Sequence, residues 1–211
     1  MKPRYRDVLI NIAILLIIAV VYMAAFSPVV LAVVDSACRA PKYEGDGGEK
    51  SVALEIACLT GAEQICVLTD RLESEGIQCS LFMYGDIIRK TPSLIERIDA
   101  IGCEAGVYGD SSPDCFALIR RYSEPAYLLY MPEHILETIP CFDTDIRIVY
   151  STVEMDRIAA GDALDAYLLA ADIANAFVLF RYNGKNMDDL EKTIKKITEK
   201  GYNIKCVGDM L

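Results

Sequence analysis

Two patterns of hydrophobic and polar residues alternate along this chain. Nearly continuous apolar runs of five to seven residues predict strands that are buried on both faces. The runs between them carry apolar residues at helical spacing, as at Ile65, Leu68 and Leu72. Gly76 follows this helical run as a terminator, and Pro92 stands early in the next one. The pattern therefore predicts strands and helices in alternation.

The predicted elements define the fold class. Strands are predicted at 51–57, 78–84, 103–108, 126–130, 146–150, 176–182 and 203–207. Helices are predicted at 60–75, 94–101, 114–122, 161–174 and 188–200. Strands separated by helices favour a parallel sheet, so we expect an α/β domain, closed or doubly wound.

A long apolar segment precedes this domain. Residues 8–34 contain no charged side chain, and a helix needs about 20 apolar residues to cross a bilayer. A cleaved signal peptide is the alternative, but its apolar core has about 7–15 residues. We therefore expect an uncleaved transmembrane helix at 8–34. Because Lys2, Arg4 and Arg6 precede it, residues 1–7 are predicted to be cytoplasmic, with a linker at 35–49 and an extracytoplasmic domain at 50–211.

The net charge bears on the binding partners, and the cysteine content bears on the disulfide state. The formal net charge is −10, and an acidic surface repels phosphate backbones, so no nucleic acid is expected as a partner. The chain has eight cysteines, an even number that permits disulfides in an oxidising compartment. Buried free thiols are the alternative, and the sequence does not decide between the two.

The stretch 76–106 carries the most specific motifs. It reads GIQCSLFMYG at 76–85 and PSLIERIDAIGCEAG at 92–106. These runs resemble G-x-x-A-T-F-F-x-x-G and P-x-L-V-x-R-I-x-x-x-G-H-E-I-G of the polysaccharide deacetylases, the NodB-homology or carbohydrate esterase 4 group. The resemblance extends more thinly over the rest of 50–211. It implies a distorted (β/α)7 barrel of the NodB type.

The resemblance also shows which functional residues are missing. That family uses two adjacent aspartates, as catalytic base and metal ligand, two metal-binding histidines and a catalytic acid histidine. In this order the positions fall on Ala57, Cys58, Tyr108, Ser112 and Arg181. Alanine cannot act as a base, and arginine cannot exchange protons in a protein. Tyrosine and serine are poor ligands for zinc-like ions. We therefore expect no bound metal, no other cofactor and no acetate release.

The ends of barrel strands meet at one mouth, where such folds build their active sites. We expect this mouth to be lined by Cys58, Tyr108, Asp110, Tyr130, Tyr150 and Arg181. The tyrosine rings are predicted to plug the vacated site, with stacking on sugars as the alternative. Arg181 is predicted to fill the former metal space and to pair with Asp110 or Glu55. A rebuilt site around Cys58 with Asp110 and Asp114 is a second hypothesis.

Three functions follow from these observations. The first is a membrane-anchored, catalytically inactive module that binds a cell-wall glycan or an envelope protein at the cell envelope. The second is a carbohydrate deacetylase or other hydrolase with a rebuilt site. The third is a membrane-protein scaffold without a glycan role.

Overall fold

The computed structural model describes residues 45, 50–109, 112–122, 126–129, 146–155 and 172–211. The predicted transmembrane helix at 8–34, nearly all of the predicted linker and most of the predicted helix at 161–174 lie outside these residues. Within the described part, no helix has both the length and the apolar character that crossing a bilayer requires.

The described part consists of parallel strands and the helices that connect them. The strands are β1 (Ser51–Cys58), β2 (Ser80–Tyr84), β3 (Glu104–Tyr108), β4 (Ala126–Leu129), β5 (Ile146–Val149), β6 (Val153–Glu154), β7 (Phe177–Tyr182) and β8 (Asn203–Lys205). The helices are α1 (Ala62–Glu75), α2 (Gly85–Lys90), α3 (Ser93–Ala100), α4 (Pro113–Ile119) and α5 (Met187–Glu199), followed by a 3-10 turn at Gly208–Met210.

All these strands belong to one sheet with the order β5-β4-β3-β2-β1-β7-β6, and every pairing is parallel. The short β8 pairs with the first residues of β1, Ser51–Ala53. The central β1 is buried along its whole length, as expected for a strand that is covered on both faces.

Alternate residues of the strands enter two separate apolar cores. One core lies between the sheet and its helices and includes Ile56, Met83 and Phe180. The other lies on the inner face and joins Ala57, Phe82, Tyr108, Val149 and Leu179, together with Ala53, Tyr127, Leu129, Phe177, Val207 and Met210. Because side chains from β5 and from β7 meet in this inner core, the sheet curls around it as a half-barrel.

The parallel α/β half-barrel agrees with the fold class that the sequence predicts, and the seven predicted strands correspond to β1–β5, β7 and β8. Strand β6, helix α2 and the 3-10 turn were not predicted. Strand β6 has two residues, which is too few for a periodic pattern. Helix α2 begins at Gly85 and has six residues, so its sequence looks like a loop.

Candidate functional site

The carboxyl ends of β1 and β7 lie side by side at the mouth of the half-barrel. Ala57 is the register partner of Arg181, and Glu55 is the partner of Leu179. Leu179 is also the partner of Glu154 in β6. Since in-register neighbours of a parallel sheet point to the same face, Glu55, Ala57, Glu154 and Arg181 all lie on the inner face with Leu179.

Arg181 and Glu154 form an ion pair at this mouth. Both terminal nitrogens of the guanidinium donate to Glu154 Oε2 at 3.2 Å. The side chains are 15% and 18% exposed, respectively, so water screens the pair less than it screens a surface pair. The methyl side chain of Ala57, next to Arg181, leaves room for the guanidinium. Glu154 is thus a carboxylate partner of Arg181 that the sequence did not predict. Of the two predicted partners, Glu55 accepts from Ser151 instead, and Asp110 lies outside the described residues.

Glu55 lies one layer deeper on the inner face. Its side chain is fully buried, and Oε2 accepts a hydrogen bond of 2.5 Å from the hydroxyl of Ser151. The other oxygen, Oε1, is buried without a hydrogen-bond partner. Burial raises the pKa of Glu55 to about 7, although the hydrogen bond from Ser151 acts in the opposite direction. At pH values below this the carboxyl group is neutral, which suits an apolar surrounding.

Two tyrosines form the aromatic part of the mouth. Tyr84 and Tyr108 are register partners at the ends of β2 and β3, and their rings meet edge to face with centroids 5.0 Å apart. Tyr108 is 5% exposed, whereas Tyr84 is 39% exposed. Tyr108 therefore fills the interior, and Tyr84 presents ring surface to solvent. Tyr150, directly after β5, is half-buried.

Cys58 has a different environment from the other strand-end residues. Its side chain belongs to the core between sheet and helices, while Ala57 and Tyr108 belong to the inner core. The period of two in a strand explains this placement, because consecutive residues point to opposite faces. The thiol is fully buried, and burial raises its pKa. A reactive thiolate is disfavoured there.

Ser112 is placed next to a second cation. It precedes α4, and its hydroxyl lies 2.8 Å from Nη1 of Arg89 and 3.3 Å from the Cys115 thiol. Arg89 in turn pairs with Asp86 at 2.7 Å. Asp110 and Tyr130, which were also predicted at the mouth, lie outside the described residues.

Comparison with solved structures identifies this architecture. One similar structure is that of BA3943 from Bacillus anthracis, described as a pseudoenzyme of the carbohydrate esterase 4 family. The matching crystal structure is of a BA3943 mutant with restored enzymatic activity. Its TM-score is 0.63 at 18% identity, over 82% of this chain and 71% of that chain.

The chain has a polysaccharide deacetylase-like fold of the NodB type. The Bc1960 peptidoglycan N-acetylglucosamine deacetylase matches with a TM-score of 0.62 at 17% identity, over 80% of this chain and 91% of that chain. PdaA of Bacillus subtilis, a family 4 carbohydrate esterase, matches with a TM-score of 0.60 at 14% identity, over 85% and 88%. No protein-family model matches the sequence, and neither does any curated protein.

The divalent metal implied by the resemblance to deacetylases does not fit the residues at this mouth. Arg181 places a fixed positive charge beside Ala57, and a second guanidinium contacts Ser112. A guanidinium group has only donors and cannot ligate a metal, and Cys58 faces away from the inner core. Among the described residues, no group of three histidine, cysteine or acidic side chains is arranged to hold a metal.

Three residues of the site, Tyr84, Ser151 and Glu154, were not predicted from the sequence. Tyr84 ends a predicted strand in the same way as Tyr108, so the same argument could have found it. Ser151 lies just before the unpredicted β6, and Glu154 is its last residue. Their positions depend on how the chain returns to β7, which no local pattern shows.

Proposed function

We propose that this chain is a membrane-anchored, extracytoplasmic pseudoenzyme with a deacetylase-like domain, which serves as a cell-envelope glycan-binding or interaction module. The observation that carries the loss of activity is the Arg181–Glu154 ion pair at the mouth. It puts a cation that cannot transfer protons where the resemblance places the catalytic acid. Metal-assisted hydrolysis requires a Lewis acid and a positioned base, and Ala57 supplies no base.

The anchoring and the location are supported by the sequence. The uncharged segment at 8–34 follows Lys2, Arg4 and Arg6, an arrangement that favours a cytoplasmic N-terminus. A reporter that is active only in the cytoplasm, fused after Leu211, should stay inactive in cells. Full reporter activity would contradict the proposed location.

The glycan preference is supported by the exposed ring of Tyr84. Aromatic rings offer an apolar face and are common in binding sites. Two of the matching structures are described as a peptidoglycan N-acetylglucosamine deacetylase and a peptidoglycan deacetylase. A cell-wall glycan is therefore the ligand that we propose to test first. An envelope protein is the other partner class, since exposed aromatic residues also anchor protein interfaces.

The test is sedimentation of the purified protein with insoluble peptidoglycan. We expect wild-type protein to sediment with the glycan and Tyr84→Ala to lose most of this binding, by roughly ten-fold if the ring supplies about 1.4 kcal/mol. Tyr122→Ala is a matched control because Tyr122 is 38% exposed, against 39% for Tyr84, and lies away from the mouth. Equal binding by both variants would contradict a glycan site at the mouth.

The rebuilt-site enzyme has less support. A nucleophile at Cys58 requires an accessible thiolate, but this thiol packs against the helices and burial raises its pKa. Turnover that depends on added metal and disappears in Cys58→Ala would favour this alternative.

A further inference from the structure

A cavity of about 320 Å³ lies at the end of the half-barrel opposite the mouth. It surrounds the start of β3 and is lined by Cys103, Glu104 and Cys206, with Asp99, Tyr122 and Asp209 at its rim. The three rim residues are exposed, so the cavity opens to solvent. Three of these lining residues are acidic, which makes the cavity wall anionic.

Cys103, which lines this cavity, lies beside a second thiol, that of Cys79. Cys79 and Cys103 immediately precede Ser80 and Glu104, which are register partners in β2 and β3. The backbone N–H of Glu104 donates to the carbonyl of Cys79 at 3.0 Å, so the two cysteines lie at the adjoining starts of neighbouring strands. Neighbouring strands lie about 4.8 Å apart, within the range of about 4.4–6.8 Å between Cα atoms that a disulfide spans.

The two thiols differ in access and in acidity. Cys79 is fully buried, whereas Cys103 is 4% exposed and lines the cavity. The hydrogen bond from the Cys79 thiol lowers the pKa of Cys103, which outweighs the opposing effect of burial. The same hydrogen bond, with burial, raises the pKa of Cys79. Because Cys103 lines the cavity and Cys79 does not, Cys103 is the thiol that an entering reagent meets first.

Cys206 also lines the cavity near Cys103, but its thiol is not equivalent to that of Cys79 as a partner for Cys103. Its thiol donates to the carbonyl of Gly102 at 3.6 Å, and burial raises its pKa, with a further contribution from Glu104. It stays protonated when Cys103 ionises, which leaves Cys79 as the aligned neighbour.

We propose that Cys79 and Cys103 are a dithiol site that small cationic disulfides enter through the cavity and oxidise to an intramolecular disulfide. Cys103 loses its proton to solvent, and its thiolate attacks one sulfur of the disulfide and releases one thiolate. Cys79 then loses its proton and attacks the Cys103 sulfur, which releases the second thiolate. Two protein thiols are oxidised, and one reagent disulfide is reduced to two thiols.

The choice of a cationic reagent follows from the acidic lining. The exposed carboxylates of Asp99 and Asp209 attract a positively charged disulfide and repel a negatively charged one. Glu104 contributes less, because burial raises its pKa and its oxygens accept from Ser80 and Gly208. Because Asp99 and Asp209 are exposed, added salt should weaken this selection. This site lies apart from the proposed glycan site and does not depend on it.

The experiment uses the full reduced chain with cystamine or dithiodipropionate as the cationic and anionic probes. We expect peptide mapping to find Cys79 linked to Cys103. Modification by cystamine should be about ten-fold faster than by dithiodipropionate at low salt, with a smaller ratio in 0.5 M salt. In Cys79→Ser, cysteamine should remain attached to Cys103. Cys66→Ser, which removes a half-buried thiol on α1, should leave the Cys79–Cys103 linkage intact.

Three results would overturn the proposal. They are linkage of Cys103 to Cys206, absence of any Cys103 modification while Cys66 reacts fully, and equal rates for the two probes at low salt. Circular dichroism checks that Cys79→Ser is folded, and Cys79→Ala serves as the second variant. The wild-type peptide map decides the linkage without either variant.

Discussion

The buried carboxyl of Glu55 is expected to make the domain less stable as the pH rises. Burial raises its pKa from 4.5 in the unfolded chain to about 7 in the folded protein. Between these values the folded protein keeps a proton that the unfolded chain has released. The stability that this group contributes is therefore fully present below pH 4.5 and is lost as the pH rises to about 7. At about 1.4 kcal/mol for each pH unit of this interval, the loss is about 3 kcal/mol.

The variant that isolates this effect is Glu55→Gln. Glutamine keeps the shape and an oxygen that can accept from Ser151, but it does not titrate. Its amide nitrogen replaces the oxygen without a partner, which costs about 1–3 kcal/mol at every pH. We expect urea unfolding to show the wild type as the more stable protein at pH 4.5. The difference should shrink or reverse by pH 8.

A matched control separates Glu55 from the other carboxyl groups. Glu63→Gln removes a carboxylate from the exposed first turn of α1 and should follow the wild-type pH dependence. The informative quantity is the difference in unfolding free energy between the wild type and Glu55→Gln at each pH. If this difference stays constant from pH 4.5 to 8, Glu55 is not protonated in the folded protein and the reasoning fails.

Two further substitutions probe the packing of the half-barrel. Gly106→Ala should destabilise the protein by about 1–3 kcal/mol in urea unfolding, because the added methyl group overlaps the ring of Phe82. The control is Gly61→Ala, where the methyl group meets only the end of a flexible side chain. An effect of Gly106→Ala no larger than that of Gly61→Ala would contradict this prediction. Glu154→Ala should cost about 1–3 kcal/mol, since it removes a carboxylate that pairs with the partly buried Arg181. A double-mutant cycle with Arg181→Ala should give a coupling energy of about 0.5–3 kcal/mol, and additive effects would show that the pair is not coupled.

The strands that are long and buried on both faces were the most predictable part of the fold. β1 and β7 are nearly continuous apolar runs, so composition alone sets them apart from helices and loops. The two-residue β6 has no such signal. Its place in the sheet depends on pairing with β7, which is a tertiary effect.

The candidate site was predicted in part. Arg181 lies on the inner face beside Ala57, in agreement with the family resemblance, because both positions end strands that are adjacent in the sheet. Its ion pair with Glu154 was not predicted, since Glu154 reaches the mouth through a strand that the sequence does not reveal. Cys58 and Ala57 were grouped because they are adjacent in sequence, but strand geometry points them to opposite faces.

The measurement that tests the central claim most directly is acetate release by the purified protein from acetylated peptidoglycan fragments, with zinc or cobalt added. Because Ala57, Tyr108, Ser112 and Arg181 stand where the deacetylases have catalytic or metal-binding residues, we expect no acetate release above the protein-free control. We also expect no stoichiometric metal in the purified protein. Arg181→Ala should also be inactive, because removing the cation restores neither a base nor metal ligands. Acetate release by the wild-type protein that depends on the added metal would contradict the account.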